Sequence, residues 1–187
     1  MKTPATLPRK CLAALAGTVL ISLSAACAAE EQPTEQLDPD TQTVDEIIEQ
    51  ADKVHPATLY QLAGQLMAQG RRDEAVKWFY VGQLRYRFLL AANPSARAKD
   101  EPLFASLSES VGRPVNEYAF GDVDAAVKEI DAALAWDAAN PNAITPKDGH
   151  AAELAELRAG LQKMRDDMVA QKDLIRETRT RNGLENR

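Results

Sequence analysis

Apolar residues recur at spacings of three and four along most of this chain, and this periodicity constrains its fold more than any other feature. The longest such stripe lies near the C-terminus, at Leu154, Leu157, Leu161, Met164, Met168 and Ile175. Residues spaced in this way share one face of an α-helix. No segment alternates apolar and polar residues over more than a few positions, as a half-buried strand would. The sequence therefore predicts an all-α fold.

Capping residues, prolines and glycines mark where the first helices begin and end. Thr43–Glu46 forms a capping box that predicts the start of a short helix. His55-Pro56 predicts the end of that helix and the start of the next one, which carries a second apolar stripe. Gly70 predicts the end of the second helix, and a long third helix is expected over about 73–92.

The same signals continue through the second half of the chain. They predict helices over 102–112, 114–121 and 122–139. Thr145–Asp148 resembles another capping box, which predicts a last helix that runs unbroken to about Arg179 and covers the others.

Composition divides the chain into four parts. Residues 1–28 read as an export signal, and the acidic segment 29–42 holds too few bulky apolar residues to order itself, which predicts a flexible tether. A single helical domain is expected over 43–181, followed by a disordered tail over 182–187.

Two stretches of the domain resemble each other. Gly70–Lys77 aligns with Gly121–Lys128 on glycine, aspartate, alanine, valine and lysine, and both helices end in Ala-Ala-Asn-Pro, at 91–94 and 138–141. The pattern glycine, alanine, large apolar, small residue resembles the turn and second helix of a tetratricopeptide unit or of its Sel1-like relative. The resemblance covers 56–94 and, more weakly, 114–141. It implies helical hairpins in which small residues, Gly82 and Ala133, lie at close helix crossings.

The N-terminus has the three regions of a bacterial export signal. Lys2, Arg9 and Lys10 precede the uncharged apolar run Cys11–Ala26, and small residues follow it. The run is shorter than the roughly 20 residues that a membrane span needs, and no second such run occurs. The sequence therefore predicts export to the periplasm and no transmembrane span.

Cys27 decides between two forms of the exported protein. Leu23–Cys27 resembles a lipobox, whose cysteine is lipidated, although Ser24 stands where that motif has a branched apolar residue. Ala26-Cys27-Ala28 equally fits ordinary cleavage before Ala29. The protein is accordingly expected to be either soluble in the periplasm or anchored to a membrane through lipid on Cys27.

Charge and cysteine content narrow the function further. The net charge of the chain is −6, and removal of the signal discards only positive charges. An acidic surface argues against nucleic acid as a partner, because phosphate contacts need an excess of lysine and arginine. No cysteine follows Cys27, so a disulfide framework is excluded.

Residues with catalytic or metal-binding spacing are lacking from the sequence. The two histidines, His55 and His150, have no partner at the spacing of a metal site or a catalytic triad, and a structural or solvated role is expected for both. We expect no catalytic residue, no metal and no cofactor. One enzymatic alternative stays open, a cell-wall hydrolase that uses two carboxylates across a cleft.

The helix over 73–92 offers candidate partner-binding residues. Half of the aromatic residues of the chain lie in 78–90, which predicts a helix central to the core. In the alternative interpretation part of this helix lines an exposed groove, with Tyr80 and Arg87 as the partner-binding residues, since they lie seven positions apart on one face. Arg85 points about 200° from Arg87, so at most one of the two can face such a groove, and pairing with local acids is the alternative for both.

These features favour an exported, non-enzymatic helical protein that binds a protein partner in the cell envelope. A periplasmic immunity protein that inhibits a toxin from competing bacteria is the specific expectation. An envelope assembly or scaffold lipoprotein is the first alternative, and the carboxylate hydrolase is the second. The C-terminal helix either packs on its own domain or forms a coiled coil with a second copy.

The lipid anchor can be tested directly. If Cys27 is lipidated, labelled palmitate should enter the protein, and Cys27→Ala should release it into the soluble periplasmic fraction. Recovery of the unaltered protein wholly in the soluble fraction, with Ala29 as its first residue, would contradict lipidation.

Overall fold

The computed structural model describes residues 42–187, and this part of the chain is all-α, as predicted. Residues 1–41, with the predicted signal, Cys27 and nearly all of the tether, lie outside the described residues. The helices are α1 (Val44–Glu49), α2 (Pro56–Ala68), α3 (Arg72–Ala92), α4 (Arg97–Leu107), α5 (Arg113–Ala119), α6 (Val123–Ala139), α7 (Ala151–Ala170) and α8 (Lys172–Arg181). A 3-10 turn (Pro94–Ala96) precedes α4, and a π-helical turn (Ser108–Gly112) joins α4 to α5.

Several predicted helix ends are confirmed. The capping box forms at α1, where the Glu46 carboxylate accepts from Thr43 N at 2.8 Å and Glu46 N donates to Thr43 Oγ1 at 3.4 Å. Pro56 is the first residue of α2, and the preceding His55 accepts from Ala57 N through Nδ1 at 3.2 Å. Gly70 lies in the turn between α2 and α3. Its φ is 78°, a left-handed conformation that glycine adopts without strain.

Other boundaries differ because tertiary contacts override the local signal. Pro102 lies inside α4, which begins at Arg97, and Gly112 does not end a helix but passes through the π-helical turn into α5. A Cβ at Gly112 would lie 2.9 Å from Cε2 of Phe79 on α3. Gly112 is therefore a point of close packing rather than a helix stop.

The second predicted capping box does not form. Thr145 N donates to Asn142 Oδ1 at 3.1 Å within a loop, and α7 starts only at Ala151. Lys147 instead donates from Nζ to the carbonyl oxygens of Asp137 and Asn140 at the C-terminal end of α6. The last helix is also interrupted, since Gln171 separates α7 from α8.

Helix α3 is the centre of the domain. It packs against α2, α5, α6 and α7, and in residues 78–90 only Arg87 is exposed. Gly82 of α3 faces α2 so closely that a Cβ would lie 3.1 Å from Leu59 Cβ and 3.2 Å from Tyr60 Cδ2. The expected close crossing at Gly82 is confirmed, and Ala133 on α6 is fully buried.

A buried ion pair connects α3 to α6. Arg85 and Asp137 are each 1% exposed, and Arg85 Nε donates to Asp137 Oδ1 at 3.2 Å. The other guanidinium nitrogens of Arg85 donate to the carbonyl oxygens of Ala51 at 3.2 Å and Pro141 at 2.6 Å. Arg85 therefore pairs with an acid that lies on another helix, 52 residues away in the chain.

The same carboxylate also holds α7. Arg158 donates from Nε and Nη2 to Asp137 Oδ2 at 3.1 and 2.5 Å, and Lys147 Nζ lies 3.7 Å from that oxygen. Burial lowers the pKa of Lys147, and Asp137 opposes this effect. We call Arg85, Asp137, Lys147 and Arg158 the Asp137 cluster; it fixes α7 relative to α3 and α6.

The C-terminal segment 182–187 was expected to be disordered, but in the structure it turns back onto the domain. Leu184 N donates to Arg179 O at 2.9 Å, and Arg187 N donates to Gly121 O at 2.7 Å. The guanidinium carbon of Arg187 lies 3.5 Å from the centre of the Tyr118 ring. The segment is thus part of the fold.

The close crossing at Gly82 generates a stability prediction. Gly82→Leu should lower the free energy of unfolding by about 1–3 kcal/mol or more, because no space exists for the side chain. Gly160→Leu is the matched control, since a Cβ at Gly160 of α7 meets no atom within 4 Å. Chemical denaturation should separate the two variants, and equal stability would place Gly82 on an open surface.

The Asp137 cluster generates a second stability prediction. Asp137→Ala should destabilise the protein by about 3–5 kcal/mol, because Arg85 would stay buried without its carboxylate. Asp131→Ala on the same helix is the control: Asp131 pairs with Arg165 at 2.7 Å but is half exposed, so its loss should cost about 0–1 kcal/mol. Similar urea midpoints for both variants would contradict a central role for Asp137.

Candidate functional site

An apolar groove of about 690 Å³ lies between α5, α7, α8 and the C-terminal segment. Its apolar lining consists of Phe120, Met164, Met168, Leu174, Ile175 and Leu184. Polar residues, Arg113, Asn116, Glu117, Asp167, Gln171, Thr178 and Arg179, complete the lining. We call this feature the α7–α8 groove. An apolar floor with a polar rim is the arrangement found where one protein segment binds another.

The sequence builds one wall of the groove from a single helical face. Met164, Met168 and Ile175 belong to the predicted apolar stripe. Leu174 adds a second apolar residue beside Ile175 on α8, after the break at Gln171. Leu174 is 52% exposed, although it is a large apolar residue. Methionine side chains are unbranched and adapt to different contact shapes. This wall is therefore apolar and adaptable; it is exposed at Leu174 and half-buried at Met164 and Ile175, while Met168 is buried at its base.

Arginines lie at the end of the groove formed by α8 and the C-terminal segment. A second cavity, of about 440 Å³, shares Glu117, Arg179 and Leu184 with the groove and adds Arg72 and Arg187 to its lining. The two cavities are therefore adjacent: the groove has the more apolar lining, and the second cavity is lined by Arg72, Arg179 and Arg187 together with Glu117 and Glu185.

Tyr118 contacts two of these arginines, Arg72 and Arg187. The guanidinium carbons of Arg187 and Arg72 lie 3.5 and 5.5 Å from the centre of its ring, which are cation–π distances. Arg187 Nη2 also donates to Tyr118 O at 3.2 Å, and the Tyr118 hydroxyl donates to Asp73 Oδ1 at 3.0 Å. We call Arg72, Arg179 and Arg187 the arginine cluster.

The histidine best placed for chemistry serves a local structural role. His55 Nδ1 accepts from the first turn of α2, and its Nε2 lies 3.9 Å from the buried carboxylate of Asp100. Burial lowers the pKa of His55, and Asp100 opposes this effect. The neutral ring that results carries its proton on Nε2, facing Asp100.

Two tyrosine hydroxyls lie nearby in the core. The ring centres of Tyr60 and Tyr86 are 6.2 Å apart, and both side chains are fully buried. Burial raises the pKa of each to about 12, so both stay protonated at neutral pH. They lie outside the lining of the α7–α8 groove.

The predicted partner-binding residues do not lie together on a surface. Tyr80 is 1% exposed, and its hydroxyl donates to Asn116 Oδ1 at 2.9 Å. The proposed role of Tyr80 is corrected: it is a core residue, because α3 is enclosed by its neighbours. Arg87 is exposed, but it lines neither the α7–α8 groove nor the second cavity. The lipidation candidate Cys27 lies outside the described residues.

Sequence reasoning missed both the groove and the arginine cluster. The apolar stripe of the C-terminal helix predicts a surface that packs on the domain or in a coiled coil, and it does not indicate a groove. Leu174 gave a signal that could have been used, since it adds an apolar residue beside Ile175 where a simple stripe needs only one.

Two further findings concern the described helices. Within residues 42–187 no helix has the length and hydrophobicity to cross a membrane. In the same residues no group of three or more histidine, cysteine, aspartate or glutamate side chains has the arrangement to hold a metal ion.

Comparison with known proteins finds a relative that matches part of this chain. An uncharacterized protein of Haemophilus influenzae is 31% identical over 119 residues, which are 63% of this chain and 46% of that protein. The match therefore spans less than half the length of the relative. No protein-family model and no solved structure matches the chain.

Proposed function

We propose that this protein is an exported, non-enzymatic helical protein that binds a protein partner in the bacterial cell envelope, and that the partner docks in the α7–α8 groove. The observation that carries the proposal is the exposed apolar wall with a polar rim between α5 and α8. Leu174 is 52% exposed beside the half-buried Met164 and Ile175, and apolar side chains framed by polar ones are the kind of surface that a protein partner covers.

The groove suits an α-helix of the partner. Its lining runs along α7 and α8 from Met164 to Thr178, which corresponds to roughly 20 Å of helix. A helix of about four turns spans that distance and presents apolar residues on one face. The groove therefore favours an amphipathic helix over a small ligand.

The two walls of the groove differ in rigidity. α7 is fixed to the core through Arg158 and Asp137, and Leu161 and Met168 are buried. α8 contains no buried residue and is held by the pairing of Lys172 with Asp124 and by the contacts of Arg179. A rigid wall supplies a defined docking face, and a lightly held wall adjusts to the occupant.

In its specific form the proposal is an immunity or inhibitor protein, in which the partner is a toxin from a competing cell. An envelope assembly or scaffold lipoprotein would use the same groove. Both roles need a binding face and no reaction chemistry.

Photo-crosslinking from the groove tests this function. A photoreactive amino acid at position 174, inside the groove, should form an adduct with another envelope protein in living cells. Position 169 is the matched control, since Val169 is 54% exposed on α7 but does not line the groove. Leu174→Glu should also weaken binding of that protein by at least about tenfold, whereas Val169→Glu should not.

Three outcomes would contradict the proposal: equal adducts from both positions, no adduct from either, or an adduct only with a second copy of this chain. The last would instead support dimerisation through the C-terminal helices.

A further inference from the structure

We infer that the arginine cluster recognises carboxylate side chains of the docked segment, so that the partner of the α7–α8 groove is an acidic amphipathic helix. The inference rests on the proposed function and adds the chemistry of the partner. It is carried by three arginines at one end of an apolar groove that lack a carboxylate partner.

The first observation is that three arginines lie together without an ion pair on an acidic protein, although Glu117 and Glu185 also line their cavity. The net charge of the chain is −6, and several other arginines have acidic partners, such as Arg165 with Asp131 at 2.7 Å. Arg179 and Arg187 instead donate to backbone carbonyl oxygens. Among residues 42–187 no acidic side chain lies within 4.0 Å of the nitrogens of Arg72, Arg179 or Arg187.

The second observation is that two of these guanidiniums converge. A Cβ built on Gly121 would lie 3.3 Å from both Arg179 Nη2 and Arg187 Nε. The two nitrogens are therefore no more than about 6.6 Å apart, and like charges at that distance favour an anion between or beside them. Gly121 leaves room for this approach, because any side chain there would press against both arginines.

The third observation is that the arginines are held in place while N–H donors remain available. Arg179 donates from Nη1 to Glu117 O at 2.8 Å, and from Nε and Nη2 to Glu185 O at 3.2 and 2.6 Å. A guanidinium has five N–H donors, so two of Arg179 remain. Arg187 uses one of its donors, and Arg72 lies over the Tyr118 ring with no hydrogen bond from its guanidinium to any of residues 42–187. Arg179 and Arg187 are held by these hydrogen bonds, and arginines held in this way bind carboxylates with little loss of conformational entropy.

The fourth observation is continuity between the cluster and the groove. Arg179 and Leu184 line both cavities, so an occupant of the apolar groove extends directly to the arginines. Apolar residues of the occupant contact Met164, Leu174 and Ile175, and its acidic residues reach the arginine cluster. The charged end fixes the direction in which the helix lies in the groove.

A displayed library of helical peptides provides the probe. Each peptide has about 16 residues, with apolar residues fixed at every third and fourth position and the other positions random. Selection on the purified protein should enrich glutamate and aspartate at one end of the helix. A glutamate-to-glutamine change at the enriched positions should weaken binding by about tenfold at low salt and less at high salt.

Protein variants locate the effect. Arg72→Gln together with Arg187→Gln should abolish the acidic enrichment and leave binding of the glutamine peptide unchanged. Arg176→Gln together with Arg181→Gln is the matched control, since these arginines of α8 line a different cavity. The glutamine-peptide comparison uses the unaltered protein, so the test stands even if an arginine variant folds poorly.

The outcomes separate this inference from the proposed function. Peptides that require Leu174 but show no acidic enrichment would overturn the arginine inference and leave groove docking intact. No selected peptide, or peptides insensitive to Leu174→Glu, would overturn both. Displacement of the peptide by an excess of a synthetic 29–41 segment, or by phosphatidylglycerol vesicles, would identify the chain's own acidic segment or a lipid surface as the occupant and overturn the inference.

Discussion

The burial of one carboxylate, Asp137, determines how the helices of this domain are arranged. Its two oxygens lie against Arg85 of α3 and Arg158 of α7, while Lys147 joins the end of α6 to the following loop. Such a cluster gains little stability over an apolar core of the same size, but it tolerates few alternative packings. A shift of α7 along α6 would leave at least one of these charges buried and unpaired. The position of α7, and with it the fixed wall of the α7–α8 groove, therefore depends on this cluster.

The helical class and several helix ends could be predicted because they depend on local chemistry. Thr43 caps α1 by exchanging hydrogen bonds with Glu46, three residues later. Gly70 supplies the left-handed residue that follows the end of α2. Gly112 and Thr145 misled the prediction because their surroundings come from elsewhere in the fold. Phe79 of α3 requires a glycine at position 112, and Lys147 is drawn to the carbonyl groups of α6 instead of joining a new helix.

The candidate site was less predictable than the fold. Tyr80 and Arg87 share a face of an isolated α3, but Asn116 of α5 meets the Tyr80 hydroxyl and closes that face. The arginines of the C-terminal tail look like an ordinary solvated pattern in sequence. What distinguishes Arg179 and Arg187 is their contact with Glu117, Tyr118 and Gly121, more than sixty residues earlier, through backbone carbonyls and a ring face. Backbone acceptors have no sequence signature, so no pattern could have indicated this arrangement.

The break at Gln171 has a consequence for how selective the groove can be. An unbroken helix would have transmitted the rigidity of α7 to every residue of the wall. With the break, Leu174 and Ile175 belong to a separate helix, and the methionines of α7 beside it accommodate side chains of different lengths. Compliance of this kind lowers the discrimination between apolar side chains of similar size. Under the proposed function, partners whose docking helices differ in single apolar residues would still be recognised, provided that each retained a helix of the same length.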